Sequence, residues 1–437
     1  MRDSFRLLNP FIYKSILLIL TIILVIMGLP MSDIKVEIEP QTDTMQIKEN
    51  GYKPVKISFA TWGSPADREI QRLVAKVFTN QSGVEVDVFC FSDAESCTSK
   101  VITQFAAGDP FDVFYADERT SVILAQKGWL LELNDLEASR KIKSEEYYRS
   151  AYQKGVYQND RLIGLPTGIN PYVIYFNKKL FKDAGLSYPD SLLMEGKWNL
   201  ETLMSCSKSI KGAKNVYGMT IKNDWQTFFS ILYSNGGKAK DFLKEGRVLT
   251  DESALNSFVE LRKGISSGSL IYMGALPKGI TEEDMFKSEQ VAMVYGGYEY
   301  ASAFKDIRDF DWDIVPFPSV RKDCSVSALS IPVISCAKYS KQKDAAREFL
   351  LFYASSEGQK LRLEKGEKTL PTLKYTVYLS GEEIILPKHS NFYFYSLDEG
   401  FAENMSASYL ENKGLILQQF GAICSGIAEP DKVINSR

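Results

Sequence analysis

Lys56-Ile57-Ser58-Phe59-Ala60-Thr61-Trp62-Gly63-Ser64-Pro65 is the stretch on which the fold turns. Val55, Ile57 and Phe59 alternate with Lys56, Ser58 and Ala60, the two-residue period of a strand. Ser64 and Pro65 then supply a helix start, a capping hydroxyl followed by a residue with no amide to leave unpaired. The helix places Ile70, Leu73, Val74, Val77 and Phe78 on one face and stops near Gly83. Val84, Val86 and Val88 alternate with Glu85 and Asp87 as a second strand. Strand, helix, strand is a βαβ unit, which predicts a parallel, doubly wound sheet in an α/β fold. Ligands of such sheets sit beyond the carboxyl ends of the strands. With a helix through Val101 to Ala107 and a strand at Val113 to Ala116, that edge holds Trp62-Gly63-Ser64 and Tyr115-Ala116-Asp117-Glu118. The plainer reading of the same residues makes Trp62 a core plug and Asp117 a helix cap.

Further along, Leu162 to Pro166 and Tyr172 to Phe176 read as strands. Helices are predicted at Lys178 to Ala184, around Leu200 to Ile210 and from Gln226 to Ser234. Met285 to Tyr295 is a helix end running into a strand that closes in Gly296-Gly297-Tyr298-Glu299. Asp344 to Lys360 predicts one amphipathic helix carrying Phe349, Leu350, Phe352 and Tyr353. No internal repeat is evident.

The 437 residues are 45% hydrophobic and 24% charged, ordinary for a globular chain with more than one domain. A formal charge of −3 and the lack of a basic stripe argue against a nucleic-acid partner. The single histidine, His389, sits in a polar run and reads as a solvated loop, so His-rich metal sites are excluded. None of the six cysteines has C-x-x-C spacing, and Cys90 with Cys97 is either a local bridge or two free thiols. No cofactor motif and no set of metal ligands emerges. Asp309, Asp311 and Asp313 mimic the start of a calcium loop, but Ile314 and Val320 stand where it needs Gly and Glu.

Arg2, Arg6 and Lys14 precede an uncharged stretch from Ser15 to Ser32. That is the pattern of a secretory signal peptide or signal anchor over residues 1–31. Gly28 with Ile26, and Ser32 with Pro30, suit signal peptidase poorly, and the first cysteine is Cys90, too late for a lipid anchor. A retained membrane anchor is therefore expected, with residues 32–53 as a polar tether.

An ordered series of segments resembles the bacterial extracellular solute-binding proteins, the family of the maltose-binding and related sugar-binding proteins. They are Thr61-Trp62-Gly63-Ser64-Pro65, the run from Phe105 to Val113, and Gly128-Trp129-Leu130-Leu131-Glu132-Leu133. Gly164-Leu165-Pro166 leads into Val173-Ile174-Tyr175-Phe176-Asn177-Lys178, and Asn235-Gly236-Gly237 follows. Val291-Ala292-Met293-Val294-Tyr295-Gly296-Gly297, Glu348-Phe349-Leu350 and Glu357-Gly358-Gln359 complete the series. The resemblance implies a two-lobed periplasmic-binding-protein fold with a ligand cleft between lobes. The first lobe would be 54–166 plus 316–371, and the second 167–315 plus 372–437. It implies a monomer outside the cytoplasmic membrane that captures a carbohydrate and delivers it to ABC permease subunits. A separate cytoplasmic ATPase would power transport, since G-x-x-x-x-G-K-[ST] is missing here.

Carried over position by position, the resemblance makes Trp62, Trp225 and Tyr298 stacking platforms for the C–H faces of a sugar. Asp117, Glu118, Asn170 and Gln226 would meet its hydroxyls, with Ser64, Tyr172 and Tyr409 as further contacts. The family usually shows Gly, any residue, then Trp where this chain has Gly297, Tyr298 and Glu299. Either Tyr298 or Tyr300 then takes over the stacking, or Glu299 meets an extra hydroxyl or a positive charge, or Glu299 points to solvent.

Two other functions stay open on the sequence. A polysaccharide hydrolase or lyase needs facing carboxylates, but Glu145-Glu146, Glu282-Glu283-Asp284 and Glu382-Glu383 all lie in charged stretches that read as surface. A tethered subunit presenting its ligand to a sensor would share the fold. So would binders of polyamines, peptides or metal ions.

Overall fold

In the computed structural model the chain is described over residues 55–237, 241–244, 247–249, 252–320, 326–376, 387–403 and 407–435. The expected anchor, the tether, Cys324 and Glu382-Glu383 lie outside the described residues. Among the described residues no helix is long and apolar enough to cross a membrane.

The chain opens with β1 (Lys56–Trp62), α1 (Pro65–Ser82) and β2 (Glu85–Phe91). Ser64 caps α1 in a full capping box with Asp67, and Gly83 ends it at φ 76°, where a side chain would be strained. α2 (Ala94–Ala106) begins seven residues before the sequence expectation, because the Asp93 carboxylate accepts from the Ser96 amide and caps it. β3 (Val113–Tyr115) and α3 (Glu118–Gln126), capped by Asp117, complete this alternation.

Next come α4 (Arg149–Lys154), β4 (Leu165–Pro166), β5 (Asn170–Pro171) and β6 (Val173–Asn177). α5 (Pro189–Met194), β7 (Tyr217–Ile221), α6 (Trp225–Ser234) and β8 (Leu270–Tyr272) follow. Then come α7 (Glu282–Lys287), β9 (Val291–Gly296), α8 (Glu299–Phe304) and β10 (Trp312–Val315). The chain returns through β11 (Ala328–Ser330) and β12 (Val333–Cys336). The single amphipathic helix expected from 344 to 360 is two, α9 (Lys343–Ala354) and α10 (Ser356–Glu364). Ser355 breaks it by taking an extended conformation and capping α10 with its hydroxyl. α11 (Asn391–Glu399), β13 (Phe401–Ala402) and α12 (Ala407–Ser425) follow.

One five-stranded sheet has the order β2-β1-β3-β12-β4, the other β8-β7-β9-β6-β10. Both are mixed rather than wholly parallel. β1 runs parallel to β2 and β3, but β12 is antiparallel to β3 and β4. In the second sheet β6 is antiparallel to both β9 and β10. The strands that return from the far side carry the reversed direction, which a local βαβ pattern does not reveal. β6 and β9 are buried at every position, as central strands with both faces covered must be. A third, three-stranded sheet, β13-β11-β5, pairs Ser330 with Asn170, Leu329 with Pro171 and Ala328 with Phe401.

Cys90 and Cys97 are free thiols, and burial pushes the Cys97 thiol up to about 12. His389 is not the solvated loop residue the sequence suggests. Its Nδ1 lies 2.8 Å from Asp313 Oδ2.

Where β4 runs on towards β5, Arg362 is fully buried in the first sheet's packing. Its guanidinium donates to the carbonyls of Tyr353 and Thr167, lies 4.0 Å from the Tyr353 ring centroid and pairs with Glu367 at 3.0 Å. Truncation leaves two carbonyls and a carboxylate without their cation. Arg362→Ala is therefore expected to lose about 3–5 kcal/mol in urea unfolding, and an unchanged midpoint would count against this role.

Candidate functional site

The carboxyl ends of β1 and β3 lead into Trp62 and Asp117 through the segments Trp62-Gly63-Ser64 and Ala116-Asp117. Both residues line a cavity of about 150 Å³. Ala94, Ala116 and Ser121 come from the same side, and Lys154 and Ile163 from the α4 region. Ser330 to Val333 and Ser335 form the returning wall. The Trp62 ring is held edge-on to Tyr115, centroids 5.2 Å apart, so its plane is fixed by packing rather than chosen by a ligand. Asp117 both caps α3, accepting from the Thr120 amide at 2.7 Å, and remains exposed. The cap and cavity-wall readings of Asp117 are therefore compatible, since one oxygen is taken by the cap.

A second group gathers at the end of β9. Asn170 Nδ2 donates to Glu299 Oε2 at 2.6 Å, and Asn170 Oδ1 accepts from the Tyr298 amide at 2.6 Å. Glu299 is half-buried and does not point to solvent. A Cβ on Gly297 would lie 2.3 Å from both the Asn170 amide and the Glu299 carboxylate, so a side chain here would displace that pair. Its carbonyl accepts from the Tyr175 hydroxyl at 2.7 Å. Tyr298 is buried against Tyr393, centroids 5.5 Å apart. The two groups meet on one rung of the three-stranded sheet, where Ser330 of the cavity wall pairs with Asn170.

The remaining expected residues sit around this frame. Trp225 and Gln226 open α6 and are nearly buried, with Trp225 edge-on to Phe401 of β13. Tyr172 packs edge-on to Tyr295 at 5.6 Å, and burial raises its hydroxyl pKa well above the usual value. Tyr409 is fully buried and donates to Glu403 Oε1 at 2.8 Å, while Lys154 Nζ from the cavity wall donates to the Glu403 carbonyl. Ser64 does not line the cavity; both its amide and its hydroxyl bond the Asp67 carboxylate. Glu118 is the first residue of α3, and its side chain lies outside the described residues.

Sequence reasoning missed Lys154, Ser121, Ser330 and Ser335, which carry no local signature and come together only through tertiary contact. It also misplaced Glu282. Thr281 caps α7, and the next residue turns inward to 6% exposure. Glu282 pairs with Lys222 at 3.1 Å and accepts from Tyr300 and Thr220 hydroxyls at 2.8 and 2.9 Å. Lys222 also lies 3.8 Å from Asp224, the residue that caps α6 beside Trp225. A charge cluster with a buried carboxylate at its centre thus underlies the α6 and α8 ends of the site.

Burial raises the Glu282 carboxyl above its ordinary 4.5, and Lys222 and the two hydroxyls only partly oppose it. The folded state then holds a proton that the unfolded state has released, so its stabilising effect is present at low pH and lost as pH rises through the raised pKa. Glu282→Gln should flatten the fall in unfolding free energy with pH just above 4.5. Parallel wild-type and variant curves across that window would show that Glu282 titrates as it does when unfolded.

A model of the family described as bacterial extracellular solute-binding protein matches residues 61–360. A maltooligosaccharide ABC transporter solute-binding lipoprotein of Streptococcus pneumoniae serotype 4 is 22% identical over 332 residues, covering 71% of each chain. An ABC substrate-binding protein of Listeria monocytogenes, solved in complex with cycloalternan, superposes with a TM-score of 0.73 at 21% identity. That match covers 87% of this chain and 96% of the other. UgpB from Mycobacterium tuberculosis, in complex with glycerophosphocholine, superposes at 0.71 with 16% identity, over 88% and 96%. At such identities the structural likeness establishes the two-lobed fold.

Proposed function

The chain belongs to the bacterial extracellular solute-binding proteins, and on that premise we propose that it captures a carbohydrate for an ABC importer. The observation that carries this reading is the cavity itself. A tryptophan plane fixed by packing stands with an exposed carboxylate, a lysine and three serines around a space of about 150 Å³. Cavities of that size hold about one six-membered ring. A pyranose offers an apolar face for Trp62 and a rim of hydroxyls for Asp117, Ser330 and Ser335. Further sugar units would extend along the rung from Ser330 to Asn170 and Glu299. The maltooligosaccharide and cycloalternan proteins named above support a sugar, and the glycerophosphocholine complex marks the competing class.

The lobe division at 54–166 with 316–371, and 167–315 with 372–437, is supported by the strands that each five-stranded sheet draws upon. The family is extracellular and is not an enzyme family. In this reading the chain acts as a binding protein, held outside the membrane by its N-terminal apolar segment or released after cleavage, and docks on permease subunits.

Ligand that binds only the folded state raises the thermal midpoint by mass action. A panel of mono- and oligosaccharides should contain at least one that raises it without being consumed. Trp62→Ala should weaken that sugar at least about tenfold, roughly 1.4 kcal/mol. Asp117→Asn should weaken it too while leaving the unliganded midpoint nearly unchanged, because Asn caps a helix as well as Asp does. A shift with glycerophosphocholine or a polyamine alone would replace the carbohydrate. Release of shorter products would sink the binding-only reading.

A further inference from the structure

We propose that Asp190, Asp313 and His389 form a site for a transition-metal dication of the zinc class, away from the ligand cavity. Asp190 comes from the first turn of α5, Asp313 from β10 and His389 from the turn before α11. One ligand atom from each lies within 4.8 Å of the others. His389 Nδ1 is 2.8 Å from Asp313 Oδ2 and 3.4 Å from Asp190 Oδ2. One imidazole and two carboxylates form a donor set that zinc accepts, with water in the fourth position. Bonds of about 2.0–2.1 Å give a tetrahedral edge of roughly 3.3 Å. The Asp190–His389 contact already has that spacing, the Asp313–His389 contact needs to open by about half an ångström, and the Asp190–Asp313 edge lies within 4.8 Å.

Asp190 makes a proton alone an incomplete occupant. The residue is 8% exposed, and its Oδ1 is buried without a hydrogen-bond partner among the described residues. Its Oδ2 faces the imidazole. Asp313, by contrast, is well supplied. Its Oδ1 accepts from the amides of Ile314 at 3.0 Å and His389 at 3.1 Å, and its Oδ2 meets Lys178 Nζ at 2.7 Å. The Lys178 ammonium offsets one carboxylate and leaves the other without a fixed cation beside it. Buried charge of one sign is costly unless paired or coordinated to metal. With Nδ1 bare, its lone pair and two carboxylates point at one another, so the cluster takes either a proton on Nδ1 or a metal in its place. The imidazole is about one-third exposed, with its side chain at 32%, which gives an ion a path in from solvent.

Bound metal would pin the turn at 387–390 to β10 and α5, and with it the start of α11. The test uses the full chain stripped with EDTA and titrated with zinc chloride by calorimetry. One ion per chain is expected, with a raised thermal midpoint. Cobalt chloride should give the visible absorption of a tetrahedral site. His389→Gln and Asp190→Asn should each weaken zinc at least about tenfold and abolish the cobalt band. Asp190→Asn is checked by circular dichroism; His389→Gln lies in a partly exposed turn and keeps the test alive if the first variant unfolds. No saturable binding by about 100 µM zinc, or binding unchanged in His389→Gln, would overturn the proposal.

Discussion

Two rungs couple the crossings between the two five-stranded sheets: Leu329 opposite Pro171, and Ser330 opposite Asn170. They tie together the two stretches where the chain leaves one five-stranded sheet for the other. Pro171 has no amide to give, so the ladder continues through the Tyr172 amide, which donates to the Ala328 carbonyl at 2.8 Å. β13 closes the other side of β11, pairing Phe401 with Ala328. The ladder joins the two crossings with only two paired rungs on this side. The candidate site is built on it. Ser330 walls the cavity, Asn170 holds Glu299, and Phe401 supports Trp225.

Buried charge then fixes what flanks the ladder. On the first-sheet side Arg362 holds the Thr167 carbonyl, so the crossing at 166–171 begins from a fixed point. On the second-sheet side the half-buried Lys222 pairs with the buried Glu282 beneath the α6 and α8 ends. Each pair is costly to bury and more costly to break, so neither contributes mainly net stability. What each provides is a defined geometry: Arg362 fixes the Thr167 carbonyl, and the Lys222–Glu282 pair orients Tyr300 and meets the Asp224 cap that begins α6. The aromatic and carboxylate groups of the site are thus held in place before any ligand arrives, which lowers the entropy cost of capture.

Much of the first sheet was legible because its signals are local. Alternation in 55–60 and 84–88, the Ser64-Pro65 start and the Gly83 stop all act within a turn or two of chain, and the family resemblance extended that reading to the fold. The antiparallel members of both sheets were not legible, since β12 and β6 owe their direction to long-range returns. Ser355 was hidden because the polar run from Ser355 to Lys360 reads as the solvent-facing end of the helix before it. Of the site, Trp62 and Asp117 could be placed from strand ends, and Asn170, Tyr298 and Glu299 from the resemblance. Lys154, Ser330 and Ser335 could not, because lining a cavity leaves no periodic trace. Glu282 and His389 were misread for one shared reason. A charged neighbourhood in sequence predicts solvent, but the groups that pair with these two, Lys222 and Asp313, lie far away in the chain.

His389 is nonetheless close to the ligand corner in steps of rigid packing. α11 starts beside it and carries Tyr393, whose hydroxyl lies 2.6 Å from that of Tyr175. Both rings are buried, and desolvation raises both hydroxyl pKa values, so each keeps its proton. Tyr175 has one proton and donates it to the Gly297 carbonyl, so Tyr393 must be the donor in the pair. The direction of the chain is therefore fixed: Tyr393 to Tyr175 to Gly297, whose neighbours Tyr298 and Glu299 form the corner with Asn170. Pulling the Tyr393 hydroxyl off Tyr175 would leave a buried donor unpaired, which is costly. The turn at His389 and the corner at Glu299 are thus linked through two buried hydroxyls.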